Sequence, residues 1–187
     1  MKTLVFKIFL MLLVSVSLKA EGIGLSFGIG LPYVSQPQLD YRMSKTIGFS
    51  VASNSLTLDA GTASVSLALT EAMVNYYPFE GSFFIGAGLG SQTFEVTATD
   101  ATTSTTASAE ATSSTTVIKT GWAWGSDDGG FWFGMDAAYI LPSGGDVTIT
   151  GTAVDGQTAY DDAEEQGEKF AESAYVNFTF FRLGYMF

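Results

Sequence analysis

From Ile23 the chain reads I-G-L-S-F-G-I-G-L, which sets Ile23, Leu25, Phe27, Ile29 and Leu31 on one side and Gly24, Ser26, Gly28 and Gly30 on the other. Strict period-two alternation describes a β-strand with one apolar face; a helix would repeat its apolar stripe about every 3.6 residues. A strand tilted across a bilayer takes about 9–11 residues, the length of this run. The opposite face carries Gly and Ser where a strand of a water-exposed sheet would carry Lys and Glu.

The pattern recurs with turn residues between its repeats. Leu39, Tyr41 and Met43 alternate with Asp40 and Arg42, and after Ser44-Lys45-Thr46 the residues Ile47, Phe49 and Val51 alternate with Gly48 and Ser50. A fourth strand is expected over Ser64 to Tyr77, and a fifth from Phe83 through Ile85, Ala87 and Leu89. A sixth carries Ile118, Thr120, Trp122 and Trp124, and a seventh Phe131, Phe133, Met135, Ala137 and Tyr139. Phe181, Leu183, Tyr185 and Phe187 form the last. An even number of strands, with short turns near residues 44, 80 and 128 and longer segments around 35, 58, 105 and 157, is the organisation of an outer-membrane barrel. The expected fold is an all-β, eight-stranded antiparallel transmembrane β-barrel with two long extracellular loops, 95–116 and 142–173.

A β-sandwich also alternates. Against it stand the aromatic richness of the apolar faces and the gathering of aromatics at strand ends. Tyr41, Tyr77, Phe83, Trp124, Phe131, Tyr185 and Phe187 mark one interfacial girdle, and Tyr33, Tyr139 and Tyr175 a second.

The first 20 residues precede this pattern. Lys2 and Lys7 make a basic start, Ile8 to Leu18 is apolar, and Ala20 is small, the layout of a secretory signal peptide. That apolar core is short for a membrane helix, which needs about 20 residues; an uncleaved anchor is the alternative. Residues 1–20 are read as the leader and 21–187 as the barrel domain. Without the leader, 5 basic residues oppose 19 acidic ones.

Alternation also assigns the charges. Asp40, Arg42, Lys119, Asp136 and Arg182 fall on the inner face, and Glu71 joins them because a carboxylate facing lipid is costly. Leu67 and Leu69 share the parity of Glu71, which calls for a phase shift or bulge in the fourth strand. Three acids and three bases in a confined space must pair and hydrogen-bond. They form either a salt-bridge network that fills the lumen or an ion or proton path; eight strands leave a bore just wide enough for side chains to fill.

The chain has no Cys and no His. Disulfides, thiolate metal sites and thiol catalysis are therefore absent, as are the commonest general base and metal ligand. With 8 Lys and Arg against 19 Asp and Glu, it lacks the basic patch that nucleic acid requires. The glycines around 22–30 and 86–90 do not match a nucleotide-binding spacing, and no helix is expected after them. No enzyme activity and no cofactor are expected.

The outer segments are acidic. Glu95 to Thr116 is low in complexity, with 18 of its 22 residues Thr, Ser or Ala. Its ends alternate weakly, so the fifth and sixth strands are expected to extend above the membrane, and Val147, Ile149 and Val154 suggest a hairpin stem. A short helix is placed around Ala163 to Ala171. Twelve acids lie in these segments: Asp59, Glu95, Asp100, Glu110, Asp146, Asp155, Asp161, Asp162, Glu164, Glu165, Glu168 and Glu172, opposed by Lys169 alone. Such a field attracts cations, and weak Ca²⁺ or Mg²⁺ binding by carboxylate oxygens is expected beside simple solvation.

The ending F-F-R-L-G-Y-M-F and the run Tyr76-Tyr77-Pro78-Phe79-Glu80-Gly81-Ser82-Phe83 through Gly90 carry a resemblance. From Glu21 to Phe187 the chain is similar to the small outer-membrane β-barrel domain family in the style of OmpA barrel domains and OmpX. The resemblance implies residence in a bacterial outer membrane, contact with its lipids and lipopolysaccharide, and recognition by the barrel assembly machinery through Phe181, Leu183, Tyr185 and Phe187. No peptidoglycan-binding domain is expected after Phe187. It also implies a structural or surface-interaction role through the outer loops; the alternative is a porin-like, narrow transport barrel for small or apolar solutes.

Overall fold

The computed structural model of the chain describes residues 22–61, 63–99, 106–126, 129–151 and 172–187. The leader and the helix expected at 163–171 lie outside the described residues. Eight strands follow in chain order: β1 (Gly22–Leu31), β2 (Gln36–Arg42), β3 (Ile47–Ala60), β4 (Ala63–Tyr76), β5 (Phe83–Thr99), β6 (Thr106–Trp124), β7 (Gly130–Gly151) and β8 (Tyr175–Met186). Each pairs antiparallel with the next, and β1 pairs with β8 from Gly24 opposite Met186 to Leu31 opposite Phe178. The sheet is thus a closed barrel, and over the zone where all eight strands overlap closure gives their backbones partners on both sides.

One row of partners runs Gly24, Asp40, Ser50, Met73, Gly88, Val117, Ile140, Tyr175 from β1 to β8. It begins near the first residue of β1 and finishes on the first residue of β8, at the other end of the wall. The strands are therefore strongly tilted to the barrel axis, as closure of so few strands demands.

The turns at the lower end are short and chemically specified. Ser44 Oγ accepts from the backbone N–H of Thr46 and Ile47, a side chain standing in for a turn carbonyl. Pro78 sits second in the turn that Glu80 N closes onto Tyr77 O at 3.3 Å, the position its fixed φ favours.

The wall has two zones. In the lower zone the outward residues are apolar, and Leu25, Phe27, Val74, Ile85, Leu89, Ile118, Phe133 and Leu183 are all exposed. Aromatics ring its lower edge: Phe83 lies 5.4 Å from Trp122, Trp124 5.1 Å from Phe133, and Phe131 5.0 Å from Tyr185. Above, exposed Ser53, Thr70, Ser91, Ser114 and Ser143 are successive partners across β3 to β7. Beyond this hydroxyl row the polarity inverts: Thr57, Glu95 and Glu110 face out, and Leu56, Leu67, Phe94 and Ala111 face in.

Several expectations change here. The segments read as longer loops near 58 and over 95–116 are mostly strand: β3 runs to Ala60, β5 to Thr99, and β6 begins at Thr106. Likewise β7 continues to Gly151. Thr and Val favour strands, but small Ala on the inner face and Ser or Thr on the outer one erase the hydropathy contrast by which strands are read. The fourth strand needs no phase shift, since its register is unbroken from Ala63 to Tyr76 with both neighbours. Leu67, Leu69 and Glu71 therefore share the inner face.

Two irregularities were not legible. Gly144, at φ 60°, lies where the β6–β7 register slips beside Ser113 and Ser114; a β-bulge commonly places glycine in this left-handed conformation. In β8 both Phe180 and Phe181 face outward, and the register with β1 and β7 shifts there. At Gly184, a Cβ would stand 2.3 Å from the Trp132 ring, so the missing side chain leaves room for the indole.

Candidate functional site

The six charges assigned to the inner face all lie there, as two ion pairs and two charges held separately rather than as one network. Lys119 on β6 donates to Glu71 on β4, and both are almost wholly buried. Arg182 Nε donates to Asp136 Oδ2 at 3.3 Å, and Thr179 Oγ1 stands 2.9 Å from Asp136 Oδ1. Thr179 and Arg182 are three residues apart, an odd spacing that would put them on opposite faces of a regular strand. The bulge at Phe180 and Phe181 turns both inward onto Asp136. Arg182 NH1 also donates to the Gln36 carbonyl at 3.3 Å.

Asp40 and Arg42 are neighbours in parity but not partners. Asp40 accepts from Gln38 Nε2 at 2.6 Å and from Ser26 Oγ at 3.0 Å. Arg42 lies at the lower mouth, its guanidinium carbon 3.4 Å from the centroid of the Tyr77 ring. It donates to Ser126 Oγ and Lys45 O at 3.0 Å and to Ser44 O at 3.3 Å. One arginine so ties the β2–β3 turn to the β6–β7 turn while its charge rests on an aromatic face. Tyr77, expected in the lower girdle, is inward and buried because it supplies that face.

Apolar packing closes both ends of this charged middle. Below lie Tyr77, Phe84, Ala123, Trp132 and Met186; above lie Tyr33, Leu69, Met73, Val117, Ala138 and Ile140. Between them, a cavity bordered by Asp40, Arg42, Lys119, Asp136 and Arg182 has about 30 Å³, room for one or two waters. Tyr33, expected in the upper girdle, has no exposed surface. The β1–β2 connection turns it into the bore, where its hydroxyl bonds to that of Tyr175, and Tyr175 in turn donates to Gln92 at 2.9 Å. A phenol needs a polar partner when buried, and the paired hydroxyls provide it for both. Of the three expected there, Tyr139 alone is exposed.

Sequence reasoning missed Tyr33, Gln36, Tyr77 and Thr179 as interior groups. For Gln36 the parity of β2, shared with Asp40 and Arg42, was an available signal. For Tyr77 the parity of the fourth strand, shared with Glu71, was another; for Tyr33, in the β1–β2 connection, nothing separates a girdle tyrosine from an interior one. The arrangement can bind water and balance charge. Among the described residues, no three acidic side chains converge to hold a metal ion.

No family model matches the sequence, and no curated protein does. Among solved structures, the crystal structure of Acinetobacter baumannii CarO is similar, with a TM-score of 0.51 at 9% identity over 89% of this chain and 98% of that one. That of A. baumannii CarO2 has a TM-score of 0.49 at 11% identity, over 90% and 100%. At such identity the likeness to CarO is one of fold, in keeping with the closed eight-stranded barrel. No family model confirms the resemblance to OmpA and OmpX barrel domains; what is shown is the closed eight-stranded barrel.

Proposed function

We propose that the protein is an integral barrel of a bacterial outer membrane with a closed lumen, exported by a leader over residues 1–20 and acting structurally or through its outer rim. The observation that carries this reading is the outward apolar zone, edged by aromatics and by the hydroxyl row, wrapped around an ionic interior sealed at both ends. Outward apolar and inward polar residues are the arrangement that lipid requires of a barrel. No step of catalysis is assigned to it. The exposed rim carries Asp59, Glu95, Glu110, Asp146 and Glu172, and Glu95 lies directly opposite Glu110. Like charges so placed repel, which supports weak Ca²⁺ or Mg²⁺ bridging, within the rim or to anionic lipopolysaccharide.

Planar-bilayer recording tests the closed lumen. Purified protein is expected to give no stable open state, because the free space of the middle layer admits little beyond single waters. Steady, large single-channel conductance would overturn the structural reading in favour of the second one, a narrow transport barrel for small or apolar solutes. That second reading draws its support from the apolar inner face above the hydroxyl row.

The end of β8 supplies the assembly signal. Phe181, Leu183, Tyr185 and Phe187 are all exposed on the outer face, as a strand read by the assembly machinery requires. Deleting Phe187 is expected to reduce the amount of heat-modifiable, SDS-resistant protein in the outer-membrane fraction. Equal insertion of the truncated and parent chains would remove Phe187 from the signal.

A further inference from the structure

The hydroxyl row is not level. Rows of partners climb the wall from β1 to β8, and at about 4.8 Å between strands tilted by about 40° each step rises about 3 Å along the barrel axis. Ser53 on β3 thus lies about 12 Å lower than Ser143 on β7, four strands on. The lower edge does not climb with it. Ile47, Tyr76, Ile85, Thr120 and Ala137 form one row, but β7 runs on below Ala137 to Phe131, about 15 Å of height that offsets the climb. Aromatics accordingly mark that edge on both sides: Tyr41 against Phe49 at 6.3 Å, and Phe131 against Tyr185 at 5.0 Å.

The apolar belt between these borders is therefore a wedge. On β3 it consists of Ile47, Phe49 and Val51 before Ser53, and on β4 of Tyr76, Val74 and Ala72 before Thr70. Each stretch is about 10 Å tall, at about 2.6 Å of height per residue. On β8, across the barrel from β4, the belt runs from Phe187 past Phe178 to Val176, about 25 Å. The usual band of such barrels is about 25 Å tall, so β8 fits while β3 and β4 fall short by more than half. Ser53 and Phe178 even share a height. From Ser53 the row drops through Pro37 and Phe27 to Leu183, and Phe178 stands above Leu183 by about as much. Both side chains face outward.

We propose that the outer leaflet thins beside β3 and β4, so that the polar head groups of its lipids come down onto Ser53 and Thr70. A belt too short for the bilayer is accommodated by thinning or by oligomerising. Tilting the barrel to level the upper border would draw one side of the aromatic lower edge into hydrocarbon. A second copy has nothing to grip: Ser53, Thr57, Ala68 and Thr70 include none of the large anchors, Trp, Tyr or Arg, on which interfaces centre. Head groups need only hydrogen bonds, and exposed hydroxyls donate to phosphate and carbonyl oxygens and accept from sugar hydroxyls. An apolar groove bordered by Leu25, Phe27, Leu39, Val51 and Leu183 leads up to Ser53 and Thr70, a bed for the acyl chain beneath such a head. This inference rests on the membrane reading, which puts the short turns on the periplasmic side.

The test reads single cysteines carrying nitroxide labels, in the protein reconstituted into dioleoylphosphatidylcholine vesicles. Collisions with a water-soluble nickel chelate are compared with those of oxygen, which concentrates in hydrocarbon. Ser53→Cys and Thr70→Cys are expected to show a nickel-to-oxygen ratio several-fold above that of Phe178→Cys. Making the belt taller should undo the thinning: with Ser53→Leu and Thr70→Leu in place, the ratio at Ala72→Cys should fall. Ratios at Ser53 and Thr70 as low as at Phe178 would overturn the thinning and leave the membrane reading intact. An unchanged ratio at Ala72 in the leucine variant would overturn it as well. Dipolar broadening between labels at Ser53, with both reagents excluded, would put a second copy in place of the lipid. A high ratio at Phe178→Cys and at Leu89→Cys would instead contradict the membrane reading.

Discussion

Lys119→Met is expected to destabilise the folded barrel by about 3–5 kcal/mol, the usual cost of leaving one member of a buried ion pair alone. The group left behind is Glu71, which is 1% exposed and receives the Lys119 ammonium. Asp136 does not share the loss, because Arg182 and Thr179 already hold it. Equilibrium unfolding in urea from lipid vesicles measures the change. The double variant Glu71→Leu with Lys119→Met separates the two causes: replacing both charges with apolar groups is often neutral or stabilising, so most of the loss should return. A Lys119→Met protein as stable as the parent would show that the pair does not hold the lumen.

Tyr33→Ala should cost a similar amount, about 3–5 kcal/mol by analogy with other large aromatic truncations. Tyr33 is fully buried among Leu69, Met73, Val117 and Ile140, and its hydroxyl anchors that of Tyr175. Tyr33→Phe keeps the ring and removes only the hydroxyl, so its loss should be nearer 1 kcal/mol. The temperature at which the folded band converts to the unfolded one in SDS orders the three proteins: parent highest, Phe next, Ala lowest. Equal temperatures for Phe and Ala would mean that the hydroxyl bond, and not the packing of the ring, closes the upper end.

These groups differ in how far the sequence disclosed them. Ile23 to Leu31 declared its strand outright, because lipid on one side and a crowded lumen on the other impose a sharp hydropathy contrast. Parity along such strands placed Asp40, Arg42, Glu71, Lys119, Asp136 and Arg182 on one face. It left their partners open, since pairing depends on tilt and on reach across the bore. The Thr179–Asp136–Arg182 group depends on a bulge at Phe180 and Phe181, and two adjacent phenylalanines read equally well as ordinary alternation. Leu67 and Leu69 conflicted with Glu71 only while the inner face was assumed polar throughout. The inversion above Ser53, Thr70, Ser91 and Ser114 removes the conflict, and the Thr- and Ser-rich composition of the upper strands had hidden it.

The inversion is also the point at which the membrane placement is tested most directly. The chain has no cysteine of its own, so single cysteines can be read one at a time with a membrane-impermeant maleimide on intact cells. Glu95→Cys and Glu110→Cys, both above the hydroxyl row, should label at once. Lys45→Cys, in the short β2–β3 turn, should label only after the outer membrane is permeabilised. Leu89→Cys and Ile118→Cys, in the apolar zone, should resist the reagent in both conditions. Prompt labelling of Leu89→Cys on intact cells, or of Lys45→Cys before permeabilisation, would contradict a barrel that spans the outer membrane with its tall strands outside.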